Sequence, residues 1–149
     1  VEKSRSATND NASSLETRVL YADTDQMGVA YHGTFFRWFE AGRANYMRRR
    51  GSSYHDVEHG GLQLPVVEAH ADYLKPARYD DVLTIRTWIG ELGLAQLRFD
   101  YEISKNGEAL VRGYTRHASI GKDGRPTRLP DDVRQALESR EQDMMGATL

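Results

Sequence analysis

Two hydrophobic periods divide this chain, and the switch from one to the other restricts its fold more than any other feature. Between Thr34 and Arg50 there is no proline, and Phe35, Phe39, Gly42 and Tyr46 recur three and four residues apart, with Phe36 and Met47 beside them. That spacing predicts a helix with most of its circumference buried. From Leu64 onward the period is two. Val67, Ala69, Ala71 and Tyr73 alternate with Glu68, His70 and Asp72. Leu97, Phe99, Tyr101 and Ile103 later alternate with Gln96, Arg98, Asp100, Glu102 and Ser104. Such alternation marks strands with one buried face. One buried helix followed by a run of strands defines the α+β class.

The remaining boundaries follow from local signals. A first strand is expected from about Leu15 to Ala22, others over Asp81 to Gly90 and Ala109 to Ile120. Lys75-Pro76-Ala77-Arg78 reads as a turn. Asn106-Gly107 is a strong hairpin signal, because both residues tolerate the positive φ of a type I′ turn. Pro130-Asp131-Asp132 opens a short terminal helix, with proline at its first position and acids in its first turn. Arg48-Arg49-Arg50 before Gly51 reads as a solvated basic last turn closed by a glycine. Gly42 lowers helix propensity but lets another backbone approach closely. Residues 1–14 are polar and aperiodic and are expected to form a loose tail, with 15–149 as a single domain. The simplest packing wraps the sheet around the helix. One helix cannot cover both faces of such a sheet, so the remainder and the sheet edge call for a partner subunit.

Composition removes several classes of function. The net charge of -2 gives no basic field for nucleic acid or anionic membrane. With no cysteine in the chain, disulfides, thiolate metal sites and cysteine nucleophiles are excluded. No apolar run is long enough to span a bilayer, and a cytoplasmic location is the default expectation. Asp23 to Gly28 imitates the start of a calcium loop, but Met27 and Thr34 stand where oxygen ligands are needed. His55-Asp56-Val57-Glu58-His59 offers no third zinc ligand nearby and reads as a surface turn or short helix. Neither stretch is read as a metal site.

The segment Tyr21-Ala22-Asp23-Thr24-Asp25-Gln26-Met27-Gly28-Val29-Ala30-Tyr31-His32-Gly33 carries the chemistry. It sets the Asp25 carboxylate a few residues ahead of a helix that begins near Gly33. A helix N-terminus offers unpaired N–H groups and a partial positive charge, which can hold a developing oxyanion. A carboxylate beside it can attack an acyl carbon or activate water. Together they are the minimum for acyl transfer. Plainer roles exist for the same residues: Asp25 as a cap of the loop or helix, His32 as a donor to a loop carbonyl, Glu68 in an ion pair.

The stretch Arg18 to His32 resembles the 4-hydroxybenzoyl-CoA thioesterase family of the hotdog fold and its YbgC-like acyl-CoA thioesterase branch. Phe39-Glu40-Ala41-Gly42-Arg43 and Pro65 to Asp81 support the likeness, which spans roughly Glu16 to Ile120. The resemblance implies hydrolysis of acyl-CoA thioesters without metal or redox cofactor, with Asp25 as the catalytic aspartate. It places the oxyanion donor at the backbone N–H of His32, with Gly33 beside it, and gives the His32 side chain an assisting role. Val29 and Tyr31 are substrate-contact candidates in the same loop, and Glu68 is a pocket candidate from a partner subunit. The family forms dimers that often pair into tetramers, with sites between subunits. Ala30 is smaller than the residue expected there. The segment Glu91 to Gln96 lacks a basic residue that many relatives place near the CoA phosphates, leaving Arg98, Lys75 or Arg78 as substitutes. Two other functions are compatible with the residues: a hotdog dehydratase or hydratase, which would pair His32 with a carboxylate, and a non-catalytic acyl-CoA-binding module.

Overall fold

The computed structural model describes residues 11–52 and 54–141. In chain order the elements are β1 (Ser13–Arg18), a 3-10 turn (Tyr21–Asp23), α1 (Thr34–Arg49), α2 (Tyr54–His59), β2 (Val66–Tyr73), β3 (Val82–Leu92), β4 (Gln96–Lys105), β5 (Glu108–Ala118) and α3 (Asp131–Glu138). The five strands form one antiparallel sheet in the order β1-β3-β4-β5-β2. The expected hairpin is present: Asn106 and Gly107 have φ of 51° and 81° and join β4 to β5.

Helix α1 lies on the inner face of the sheet through its predicted apolar stripe. Phe35, Phe39, Gly42, Tyr46 and Met47 are buried, and Trp38 joins them. Opposite them stand Leu83, Ile85, Leu97, Phe99, Tyr101, Ile103 and Val111, all essentially solvent-free. The Phe39 ring stacks on Tyr101, with centroids 4.3 Å apart and planes 7° from parallel. Burying an aromatic side chain of this kind contributes about 1.5–3 kcal/mol. Gly42 allows the close approach. A Cβ there would strike Thr87 Oγ1 and come within 2.8 Å of Ile85 Cγ2, so what approaches is a pair of side chains of β3.

Behind α1 runs a buried polar chain. The Tyr101 hydroxyl meets Thr115 Oγ1 at 2.6 Å, Thr115 Oγ1 meets His117 Nε2 at 2.8 Å, and His117 Nδ1 lies 2.9 Å from the Leu64 carbonyl oxygen. Burial is the main cause that lowers the His117 pKa to about 4. With His117 neutral, Nδ1–H donates to Leu64 and Nε2 accepts from Thr115.

Two expectations are corrected. The first strand starts at Ser13, earlier than Leu15, and ends at Arg18 rather than Ala22. It ends there because the backbone partners of Val19 lie at Asp80 and Asp81 and the Leu20 N–H turns to the Asp23 carboxylate. Residues 1–10 of the expected tail lie outside the described residues. The second correction concerns Arg50, which is 1% exposed rather than solvated. Its guanidinium donates to Ser13 Oγ, to the Asn11 carbonyl and to the Ser139 carbonyl, at 2.7–2.8 Å. A buried charge needs such a full set of acceptors, and here it gathers the start of β1 and the residue after α3.

The outer face of the sheet is polar. Arg98 lies between Glu91 and Asp100, Arg116 reaches Glu68 and Glu91, and Arg112 reaches Glu102. Exposed large apolar residues include Val66, Val67, Tyr73 and Leu74, on edge strand β2 and just beyond it, and Leu20, Tyr21, Met27 and Tyr31 in the segment before α1.

Candidate active site

The site is built where the loop before α1 meets the end of β2. The loop is fixed before it reaches the helix. Asp23 is buried; its Oδ2 accepts the Leu20 N–H at 2.8 Å and its Oδ1 lies 2.5 Å from Arg37. The Asp23 carbonyl accepts the Tyr31 N–H, and the Asp25 N–H donates to the Val29 carbonyl. The Ala30 N–H donates to Ala77, and Val29 is bridged to Arg78. Both arms of the loop are therefore tied, one to the other and to the 77–78 segment.

Two acids two residues apart thus have opposite fates. Asp23 is used up by the fold. Asp25 is half-buried; its Oδ1 accepts the Met27 N–H at 2.8 Å, and its Oδ2 has no hydrogen-bond partner among the described residues. A carboxylate held through one oxygen and open at the other is aimed without being neutralised.

Asp25 opens on a cleft of about 350 Å³ that also exposes Val29, Ala30, His32, Phe35 and Tyr73, with Lys75 among its further lining residues. At its floor α1 begins. Its opening hydrogen bonds run from Thr34 to Tyr31, from Phe35 to His32 and from Phe36 to Gly33. Neither the His32 nor the Gly33 N–H, at the two positions just before the helix, has an acceptor among the described residues. The Tyr73 hydroxyl donates to the His32 carbonyl at 2.9 Å. Burial raises the Tyr73 pKa above the usual phenol value, so the group remains a donor.

Of the sequence candidates, Asp25, Val29 and His32 line one cleft. Tyr31 does not line the cleft; it is half exposed, with its ring 4.3 Å from that of His32. Gly33 makes room for that ring, since a Cβ on Gly33 would come within 2.8 Å of it. Glu68 does not line the cleft of its own chain. It accepts from the Tyr114 hydroxyl and from Arg116, which hold its carboxyl below the usual range. Among the substitutes for a phosphate contact, Lys75 lines the cleft and is paired to Glu108. Arg98 is locked between Glu91 and Asp100. Sequence reading missed Tyr73 and Phe35 as site residues. Phe35 reads as core stripe, and nothing local marks Tyr73, whose partner lies 41 residues away. Among the described residues there is no cluster of side chains that could hold a metal ion and no helix long and apolar enough to cross a membrane.

An antiparallel sheet wrapped on one long helix, with reactive groups gathered at that helix's N-terminal end, is the hotdog architecture. The thioesterase-like superfamily matches the chain over residues 19–137, and the chain belongs to it. The protein is a thioester hydrolase of that fold. It is 31% identical to the acyl-CoA thioesterase YbgC of Haemophilus influenzae, over 86% of this chain and 96% of that protein. The structure of a hypothetical protein from Thermus thermophilus superposes with a TM-score of 0.81 at 38% identity, covering 84% of this chain and 96% of that one. A 1,4-dihydroxy-2-naphthoyl-CoA thioesterase from Synechocystis superposes with a TM-score of 0.78 at 27% identity, covering 85% and 95%.

Proposed function

We propose that the protein hydrolyses acyl-CoA thioesters in this cleft, with Asp25 as nucleophile or general base and the start of α1 as oxyanion site. The observation that carries the reading is that Asp25 and His32 line one cavity, the carboxylate with one oxygen open, while the N–H groups of His32 and of the neighbouring Gly33 have no acceptor among the described residues. The thioester carbonyl oxygen would point at the N–H groups of His32 and Gly33. Attack by Asp25 gives a tetrahedral centre that expels the CoA thiolate and leaves an acyl-aspartyl anhydride, which water then opens to the free acid. As general base, Asp25 would instead take a proton from water as its oxygen bonds to the carbonyl carbon, and the same thiolate would leave. In both routes negative charge grows on the carbonyl oxygen, where losing one fixed donor costs about 2.7–4 kcal/mol. Val29 and Phe35 provide apolar contact for the acyl group. Lys75, with Arg78 on the adjoining strand-like segment, is the phosphate contact we favour, because Arg98 is committed to two carboxylates.

The working unit we propose is an oligomer of this chain, a dimer or a tetramer. The edge of β2, unpaired among the described residues, and its exposed Val66, Val67 and Tyr73 support it. Thiol release from a panel of aliphatic and aromatic acyl-CoA thioesters, with Asp25→Asn beside the wild type, tests the activity. Undiminished turnover by the folded variant would rule out the role of Asp25. Light scattering of the purified protein tests the assembly, and a monomer at micromolar concentration would rule it out.

A further inference from the structure

We infer that Tyr73 is a positioning residue for thioester hydrolysis, acting through the single peptide unit that joins His32 to Gly33. The inference rests on the proposed oxyanion site and adds to it a residue from a different element. The carbonyl of that peptide is His32 O, and its N–H is Gly33 N. A peptide unit is planar, so fixing the direction of its carbonyl fixes the direction of its N–H. Helix α1 does not fix it well by itself. Its bond from the Phe35 N–H to His32 O is 3.4 Å long, whereas the Tyr73 hydroxyl donates to the same oxygen at 2.9 Å. N–H···O bonds center near 2.9–3.0 Å and weaken with length, so the hydroxyl is the tighter of the two restraints.

Tyr73 is itself well held. It pairs with Val111 at the end of β2, and the next two N–H groups, of Leu74 and Lys75, both donate to the Leu110 carbonyl at 2.8 and 3.1 Å. Its ring meets the buried Phe35 ring edge-on at 5.6 Å and lies edge-on to the His32 ring at 6.4 Å. The sheet thus reaches over the helix start and clamps one carbonyl. A hydrogen bond received by a carbonyl also polarises the amide, so its N–H becomes a better donor. Tyr73 therefore both fixes the direction of the Gly33 N–H and strengthens it as a donor to the proposed oxyanion, without touching the reacting atoms.

The test is Tyr73→Phe, which keeps the ring and removes only the hydroxyl. Steady-state kinetics on an accepted acyl-CoA, thermal melting and the amide ¹⁵N resonance of Gly33 are recorded for wild type, Tyr73→Phe and Asp25→Asn. We expect Tyr73→Phe to lower kcat about tenfold, to leave KM within about twofold, and to shift the Gly33 resonance, which senses the bond on the preceding carbonyl. A wild-type kcat, or a fall in kcat/KM carried wholly by KM, overturns the inference, since a mere pocket wall would act on binding. Asp25→Asn reports separately on the underlying reading. Its failure would remove the role of Asp25 while the Tyr73→Phe result still decides the carbonyl-side claim. Should Tyr73→Phe melt early, an unchanged Gly33 resonance in the folded fraction overturns the inference and a shifted one supports it.

Discussion

The guanidinium of Arg50 lies 3.5 Å from the centre of the Tyr46 ring, and both side chains are buried in the same pocket between the two ends of the domain. The pair changes both partners. Burial is the largest effect on each, lowering the Arg50 pKa and raising that of Tyr46 to about 12, partly offset by the cation itself. Arg50→Ala removes the cation over the ring and leaves the carbonyls of Asn11 and Ser139 without their donor. We expect a loss of about 3 kcal/mol or more in denaturant unfolding. A loss under about 1 kcal/mol would show the pocket to be wet.

The two loop acids should separate stability from catalysis. Asp23→Ala strips the Leu20 N–H and Arg37 of their acceptor and should cost about 1–3 kcal/mol of stability. Asp25→Asn keeps an oxygen for the Met27 N–H, so the melting temperature should stay within a degree or two while kcat falls by about two orders of magnitude or more. Thermal melts and initial rates on the same preparations decide it. A reversed pattern would exchange the roles.

His117 sets a pH dependence. It takes up a proton near pH 6.5 when unfolded and near pH 4 when folded, so between those values the unfolded state binds more protons. Stability should fall as pH drops from about 6.5 toward 4, by roughly 3 kcal/mol, and flatten below as both states are protonated. His117→Gln should lose stability at pH 7 yet remove this part of the slope. Denaturant midpoints at several pH values report it, and parallel curves for both proteins would refute it. The carboxyls of Asp81 and Glu68 are also held low, Glu68 by the Tyr114 hydroxyl and Arg116. At Asp81 the burial that opposes ionisation is outweighed by Lys105 and the Arg78 N–H. Their contribution is present above the unfolded carboxyl values and is lost as pH falls through the folded ones.

At Gly42 two local effects oppose each other. Alanine would raise helix propensity by about 1 kcal/mol, but its Cβ would collide with Thr87 Oγ1 and Ile85. Overpacking of this kind costs about 1–3 kcal/mol. We expect Gly42→Ala to melt lower than wild type; a higher melting point would mean that the helix can lift away from β3.

Binding of the CoA phosphates should depend on Lys75 rather than on Arg98. Lys75→Ala should raise KM several-fold with kcat little changed and weaken the salt dependence of KM. Arg98→Ala should leave KM alone and affect only stability. The converse result would place the nucleotide on the outer face of the sheet.

Much of this architecture is legible from local rules. The helix stripe, the alternation in β2 and β4 and the turn at Asn106-Gly107 each follow from period and φ preference within a few residues. So does the meeting of Asp25 with a helix start, because both lie on one short loop. What local rules misjudge depends on distant partners. A run of three arginines at a helix end reads as solvated, yet Arg50 finds acceptors at Asn11 and Ser139, far along the chain. Glu68 sits in an alternating strand, where pattern leaves an ion pair and a pocket wall both open; within its own chain it meets Arg116 and Tyr114 on the neighbouring strand. Tyr73 reads as one more apolar residue of the alternation until the fold delivers the His32 carbonyl to its hydroxyl.

The grip of one guanidinium on the carbonyls of Asn11 and Ser139 has a mechanical consequence. It makes the domain a nearly closed ring of chain, with the knot of the ring at Arg50 and the Asp25 cleft at the other end of α1. A pull on Asn11 or on Ser139 is borne first by the same side chain. Freeing one end takes a ligand from the cation that secures the other, so the two ends of the domain should loosen together.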